Sequence, residues 1–156
     1  MAGARVFRVP RGLSYGHRCS TMFVIMKSKV TMAARVLLGV AFFGSGLFGI
    51  ISHFKFPPNL PPNLLAFVQG MTASVYFLPL LKTTELLCGL LLLSGRFVPL
   101  ALVVLAPVII NIFFTHLFLE PSGLPVALII GALEIYLAFF SPAYSPTVKQ
   151  LFRKDA

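Results

Sequence analysis

Four apolar runs, each about the length of a bilayer crossing, constrain this chain more than any other feature. They lie at about residues 33–52, 75–94, 97–119 and 123–141. A hydrocarbon core about 30 Å thick takes about 20 helical residues to cross, and every backbone N–H and C=O inside it must be satisfied within the protein. A chain of 156 residues is one domain's worth. With 58% hydrophobic and 11% charged residues, it lacks the side chains for a polar coat. The pattern predicts an all-α integral membrane protein, a four-transmembrane-helix bundle.

The connections refine that reading. Prolines in SHFKFPPNLPPN, residues 52–63, bar a regular helix after the first run. From Leu64 to Leu93 the chain runs about thirty residues, too many for one perpendicular span and too few for two. We split it into a short interfacial or re-entrant helix at about 64–73, capped by Asn63, and a span at about 75–94. Pro99 and Pro125 fall in first turns, where proline is tolerated, whereas Pro107 lies inside the third span and is expected to bend it. The membrane domain, 33–141, is flanked by a basic leader, 1–32, expected to be disordered, and a cytoplasmic tail, 142–156. The leader reads either as an overlong start, since Met22, Met26 and Met32 offer later ones, or as an Arg-rich, acid-free transit peptide. The first reading is preferred.

The net charge of +9 raises nucleic acid as a partner, but no recognisable nucleic-acid module accompanies it. Its distribution points to the bilayer instead. Arg5, Arg8, Arg11, Arg18, Lys27, Lys29 and Arg35 stand at or before the start of the first run, and no acidic residue precedes Glu85. Basic residues beside spans follow the positive-inside bias and the pull of anionic headgroups. An N-in/C-in topology puts these residues, Arg96, Lys149, Arg153 and Lys154 inside, with Lys55 and Glu120 outside. The two cysteines, Cys19 and Cys88, form no CxxC, which excludes a disulfide framework and argues against dithiol exchange.

Against this apolar background, a few polar residues stand out. Lys82 and Glu85 sit in FLPLLKTTELLCGLLLLSG, Phe77–Gly95, and Asn111 and Glu134 lie within the third and fourth runs. At about 1.5 Å of rise per residue, all four fall close to one depth near the midplane. Leu78, Lys82, Glu85 and Gly89 share one helix face, and Ala127, Gly131, Glu134 and Ala138 share another. An ionisable group at a helix centre costs at least about 2.5–3.5 kcal/mol, so these residues are expected to meet inside the bundle. One lysine against two carboxyls leaves a surplus, and the cheaper state keeps one glutamate protonated. Two readings stay open: a structural clasp fixing helix register, or a proton, quinone or cation site. Small residues Ala41, Ser45 and Gly49 recur every four positions and, with Gly89 and Gly131, are expected to line helix contacts.

A second, weaker group lies towards the outer face. His53 ends the first run and His116 nears the end of the third. Histidines on separate helices are the residue type that holds haem or a metal. Neither sits in a ligand-spaced motif, so ordinary interfacial hydrogen bonding is the preferred reading, with no metal site and haem disfavoured.

ARVLLGVAFFGSGL, FLPLLKTTELLCGLLLLSGRFVPLAL and NIFFTHLFLEPSGL together resemble the DoxX family of small bacterial membrane proteins over about residues 33–141. The K-x-x-E-x-x-x-G pattern and N-x4-H-L carry the likeness, pointing to Lys82, Glu85, Gly89, Asn111 and His116. The resemblance implies a multi-pass protein of the bacterial cytoplasmic membrane, associated with membrane redox assemblies such as thiosulfate:quinone oxidoreductase. This chain has no redox cysteine pair and no cofactor motif of its own. The expected function is therefore an accessory subunit of a quinone-linked system, not an enzyme by itself, with membrane oxidoreductase subunits or further copies of itself as partners. The alternatives are a membrane scaffold or, less favoured at this size, a proton-coupled carrier.

Overall fold

A computed structural model of the chain describes residues 15–53 and 60–151, with side chains for 28–53 and 60–150. Among these residues the fold is all-helical. α1 spans Tyr15–Ile51, α2 Pro62–Ala73, α3 Phe77–Ser94, α4 Val98–Phe118, α5 Leu124–Ile135 and α6 Ser145–Leu151. Four stretches are long and apolar enough to cross a membrane: Ser28–Ile51, Phe77–Ser94, Val98–Phe118 and Pro121–Phe140. Large side chains such as Phe48, Phe118 and Phe140 are exposed on the outside of the bundle. In water that surface would aggregate; against lipid tails it is the expected coat.

Three local expectations change. The leader is helical from Tyr15 onward, because no proline interrupts the chain between there and Ile51; residues 1–14 lie outside the described residues. Asn63 is not a cap, since α2 already begins at Pro62 with Pro61 before it. Proline's fixed φ and missing N–H suit the first helical position, so the prolines set the start. The break between α2 and α3 falls at Val75, whose φ of 55° no helix accommodates, and α3 starts at Phe77.

The most extensive contact is between α1 and α3. On α1 the buried positions are Thr31, Ala34, Leu38, Gly39, Phe42, Gly46 and Gly49, a three-and-four spacing that lines one face. Of the expected stripe, Gly49 is buried at the contact and Ala41 is exposed, while Gly46, outside that stripe, also occupies the contact. A Cβ on Gly46 would lie 2.7 Å from the Lys82 carbonyl, and one on Gly89 would strike the Phe43 backbone. The two backbones meet here as closely as small residues allow.

The packed core sits at one end of the bundle. Leu38, Leu92, Leu102, Leu105 and Leu137 are fully buried, and Val148 of α6 closes the cluster. Gly95 ends α3 in the left-handed region at φ 72°, its N–H returning to the Leu92 carbonyl. The Arg35 guanidinium packs against that glycine, where a cation suits the C-terminal carbonyls of α3. α5 runs on into a π-helical turn, Tyr136–Phe140, closed by the Ser141 N–H donating to the Tyr136 carbonyl at 2.8 Å.

Candidate functional site

Two polar centres lie within the apolar spans. The first joins α1 to α3. Lys82 Nζ donates to Glu85 Oε2 at 2.8 Å, and the Ser45 hydroxyl donates to the same oxygen at 2.8 Å. Lys82 Nζ also reaches Ser45 Oγ at 3.0 Å, closing a three-membered ring. The Glu85 side chain is 3% exposed and that of Lys82 18%. Helical spacing explains half of this, because positions three apart share a face. Gly49 explains the rest: a Cβ there would lie 2.7 Å from Lys82 Cδ, so the lysine stem lies in the space a side chain would fill. The ring is charge-balanced and bonded within itself.

The second centre is Glu134, at the end of α5. It is 6% exposed, and its Oε2 is buried with no hydrogen-bond partner among the described residues. It also lines a cavity of about 840 Å³ between α4 and α5, whose other walls are apolar. Ala127 and Ala138, on the same face, are buried, and Gly131 faces Ile109 across a gap of 4.0 Å from an added Cβ. Once Lys82 and Glu85 neutralise each other, Glu134 is the surplus carboxyl.

Asn111 joins neither centre. It is exposed, and its Oδ1 accepts from the Thr115 hydroxyl on its own helix at 3.2 Å. The expectation that it would meet Lys82 and Glu85 fails in azimuth. α4 buries Val98, Ala101, Leu102, Leu105 and Ile109, and a residue two beyond Ile109 points about 200° away.

His53 and His116 are each bonded at their own helix end. His53 Nδ1 is 3.0 Å from the Ile51 carbonyl, a contact that requires the proton on Nδ1. His116 Nδ1 lies 3.3 Å from the Glu120 carbonyl and 3.8 Å from its carboxylate, with the ring seated on Gly123. Among the described residues no group of three or more His, Cys, Asp or Glu is arranged to hold a metal. Lys55 lies outside the described residues.

Sequence reasoning missed three contributions. Ser45 was read as a small packing residue, yet its hydroxyl completes the ring; a serine one helix away from a lysine–glutamate pair at matching depth was the available signal. Gly46 was missed although Gly46 and Gly49 are one turn apart, the spacing that admits a second backbone. The Thr31–Tyr136 hydroxyl contact at 3.2 Å, tying α1 to the π turn, had no local signature.

Comparison with known proteins adds one result. Neither curated proteins nor solved structures yield a match to this chain. The family model described as DoxX matches residues 30–117, a stretch that takes in the whole Ser45–Lys82–Glu85 ring and stops before Glu134. That match covers more than half of the chain, and with four apolar helices it makes this a multi-pass membrane protein of the DoxX family.

Proposed function

We propose that this protein is an accessory subunit of a quinone-linked redox system in the bacterial cytoplasmic membrane, and that its ligand-handling element is the Glu134 cavity. The observation that carries the reading is the buried, unpartnered Glu134 oxygen on the wall of a cavity of about 840 Å³. A lone ionisable group at that depth costs at least about 2.5 kcal/mol on the most lenient scale. Such groups inside membranes occur where a ligand, ion or proton is handled. The end bearing Arg35, Arg96 and Lys149 faces the cytoplasm in this reading, by the positive-inside bias.

The test is gentle purification from native membranes, followed by quinone extraction, an absorption spectrum and identification of co-purifying proteins. The expected result is a bound quinone and a redox partner, with quinone reduced or lost in Glu134→Leu. A quinone-free protein without a redox partner would defeat the proposal.

One observation favours a second reading. The Ser45–Lys82–Glu85 ring satisfies itself and locks α1 on α3, which is what a non-enzymatic scaffold requires. In our reading the ring is structural in either case, and the two functions differ only in what the α4–α5 face does.

A further inference from the structure

The cavity between α4 and α5 has a chemistry narrower than "quinone-linked". Its volume of about 840 Å³ lies within the range of about 300–1,000 Å³ typical of sites for small organic ligands. Its lining is apolar except at Glu134. Phe113, Phe114 and Phe139 contribute to the wall, the first two edge-to-face with centroids 5.6 Å apart. Ile110, Leu128 and Ile135 line it and are also exposed on the outer face of the bundle. The cavity therefore opens sideways, where a spanning bundle meets lipid, and not towards water.

Two backbone features border it. Gly131 sits on its wall, and a Cβ there would meet nothing nearer than Ile109 Cγ2 at 4.0 Å. The π turn starts two residues after Glu134 and fits an extra residue into the helix. Leu137 and Ala138 are both buried in this turn, while Phe139 still reaches the cavity.

We propose that this cavity binds a membrane-dissolved aromatic alcohol, a phenol or hydroquinone with an apolar tail, its hydroxyl placed on Glu134 Oε2. The inference rests on the quinone-linked reading and narrows it to the hydroxyl-bearing, reduced form. A hydroxyl both donates and accepts, so it satisfies Oε2 whether or not that atom carries the carboxyl proton. A quinone carbonyl only accepts and meets the carboxyl in one of those two states. An acyl chain fills the volume but leaves the oxygen unpartnered, a costly outcome for a buried polar atom. An aromatic head also finds ring edges and faces in the phenylalanine wall.

The test uses the purified full chain in phosphatidylcholine vesicles, with no redox partner. The probe is a 4-alkylphenol carrying a diazirine in its chain, compared with its O-methyl ether, which has lost the donor. After photolysis, labelled peptides are identified by mass spectrometry. The phenol is expected to label residues 109–114 and 128–135 about tenfold more than the ether. Glu134→Leu should bring the phenol down to the level of the ether. Gly131→Phe, which fills the cavity and keeps the carboxyl, should lower both.

Equal labelling by phenol and ether overturns the proposal, since the cavity is then an acyl-chain crevice. So does labelling spread evenly over all lipid-facing helices, or cross-linking that shows a second copy seated on this face. The two readings fail separately. Labelling as expected in a protein that never co-purifies with a redox partner removes the accessory role alone. A redox partner retained with no phenol preference removes the ligand assignment alone.

Discussion

The ring between α1 and α3 allows the sharpest energetic test, because its members contribute as a unit. Glu85→Leu leaves Lys82 with only the Ser45 hydroxyl at 3.0 Å. Removing one partner of a buried pair costs about 3–5 kcal/mol. The low end applies here, about 3 kcal/mol, because Lys82 is 18% exposed and its long stem can lead the ammonium outward. Lys82→Met leaves Glu85 with the Ser45 bond at 2.8 Å, and the loss is about 2 kcal/mol, that of an under-satisfied buried acceptor. The double variant abandons both charges, frees Ser45 to bond a carbonyl one turn back, and should cost about 2 kcal/mol. The coupling between the two sites is then about 3 kcal/mol, against an average of about 0.6 for hydrogen bonds between membrane helices. The assay is reversible unfolding in mixed micelles, titrated with a denaturing detergent and followed by far-ultraviolet circular dichroism, for the parent, both singles and the double. Single costs that add to within about 0.5 kcal/mol would refute the ring as a coupled clasp.

Other consequences are simpler to read. Gly46→Val should destabilise the bundle by about 1–3 kcal/mol, because its Cβ meets the Lys82 carbonyl and forces α1 from α3; detergent unfolding midpoints check this. Gly44→Ala, with open space around its Cβ, should be neutral or stabilising by about 0.4–1 kcal/mol in the same assay. Asn111→Leu should leave stability within about 0.5 kcal/mol of the parent, since the amide faces outward and bonds only Thr115; a larger loss would show that the amide is held inside. Gly95→Ala should cost more than about 1 kcal/mol, both for its φ of 72° and for the Arg35 guanidinium packed on it.

Much of the fold was legible because a membrane reduces the choices. Run length and hydropathy gave four spans and the short helix between the first two, since only complete helices satisfy a backbone in lipid. The start of α1 was misjudged for a related reason. A basic, moderately polar stretch reads as irregular by composition, but helices do not end where hydropathy does, and the chain from Tyr15 has no proline to stop it. Of the site, the Lys82–Glu85 pair was legible from spacing alone, because it lies on one helix. Its third member was not: Ser45 enters through the phase of α1 against α3, which depends on Gly46 as well as Gly49, and Gly46 lies outside the four-residue stripe. The cavity at Glu134 was not legible at all, being a space between two helices and not a pattern in either.

Depth and phase carry different information, and the surplus carboxyl shows how they separate. Rise per residue placed Lys82, Glu85, Asn111 and Glu134 near one level, which made a single four-membered site the economical reading. Phase is set by which neighbours each helix packs against. α4 commits Leu102, Leu105 and Ile109 to the core, and that turns Asn111 outward. α5 buries Ala127 and Glu134 on one side, but on the wall of the cavity shared with α4 and outside the ring. The bundle thus spends its only described mid-span lysine on one glutamate and leaves the other with apolar neighbours. A purely structural design would have replaced Glu134 with leucine, which fills the same wall without an unpartnered oxygen. That a carboxyl stands there is the reason to look for what it bonds.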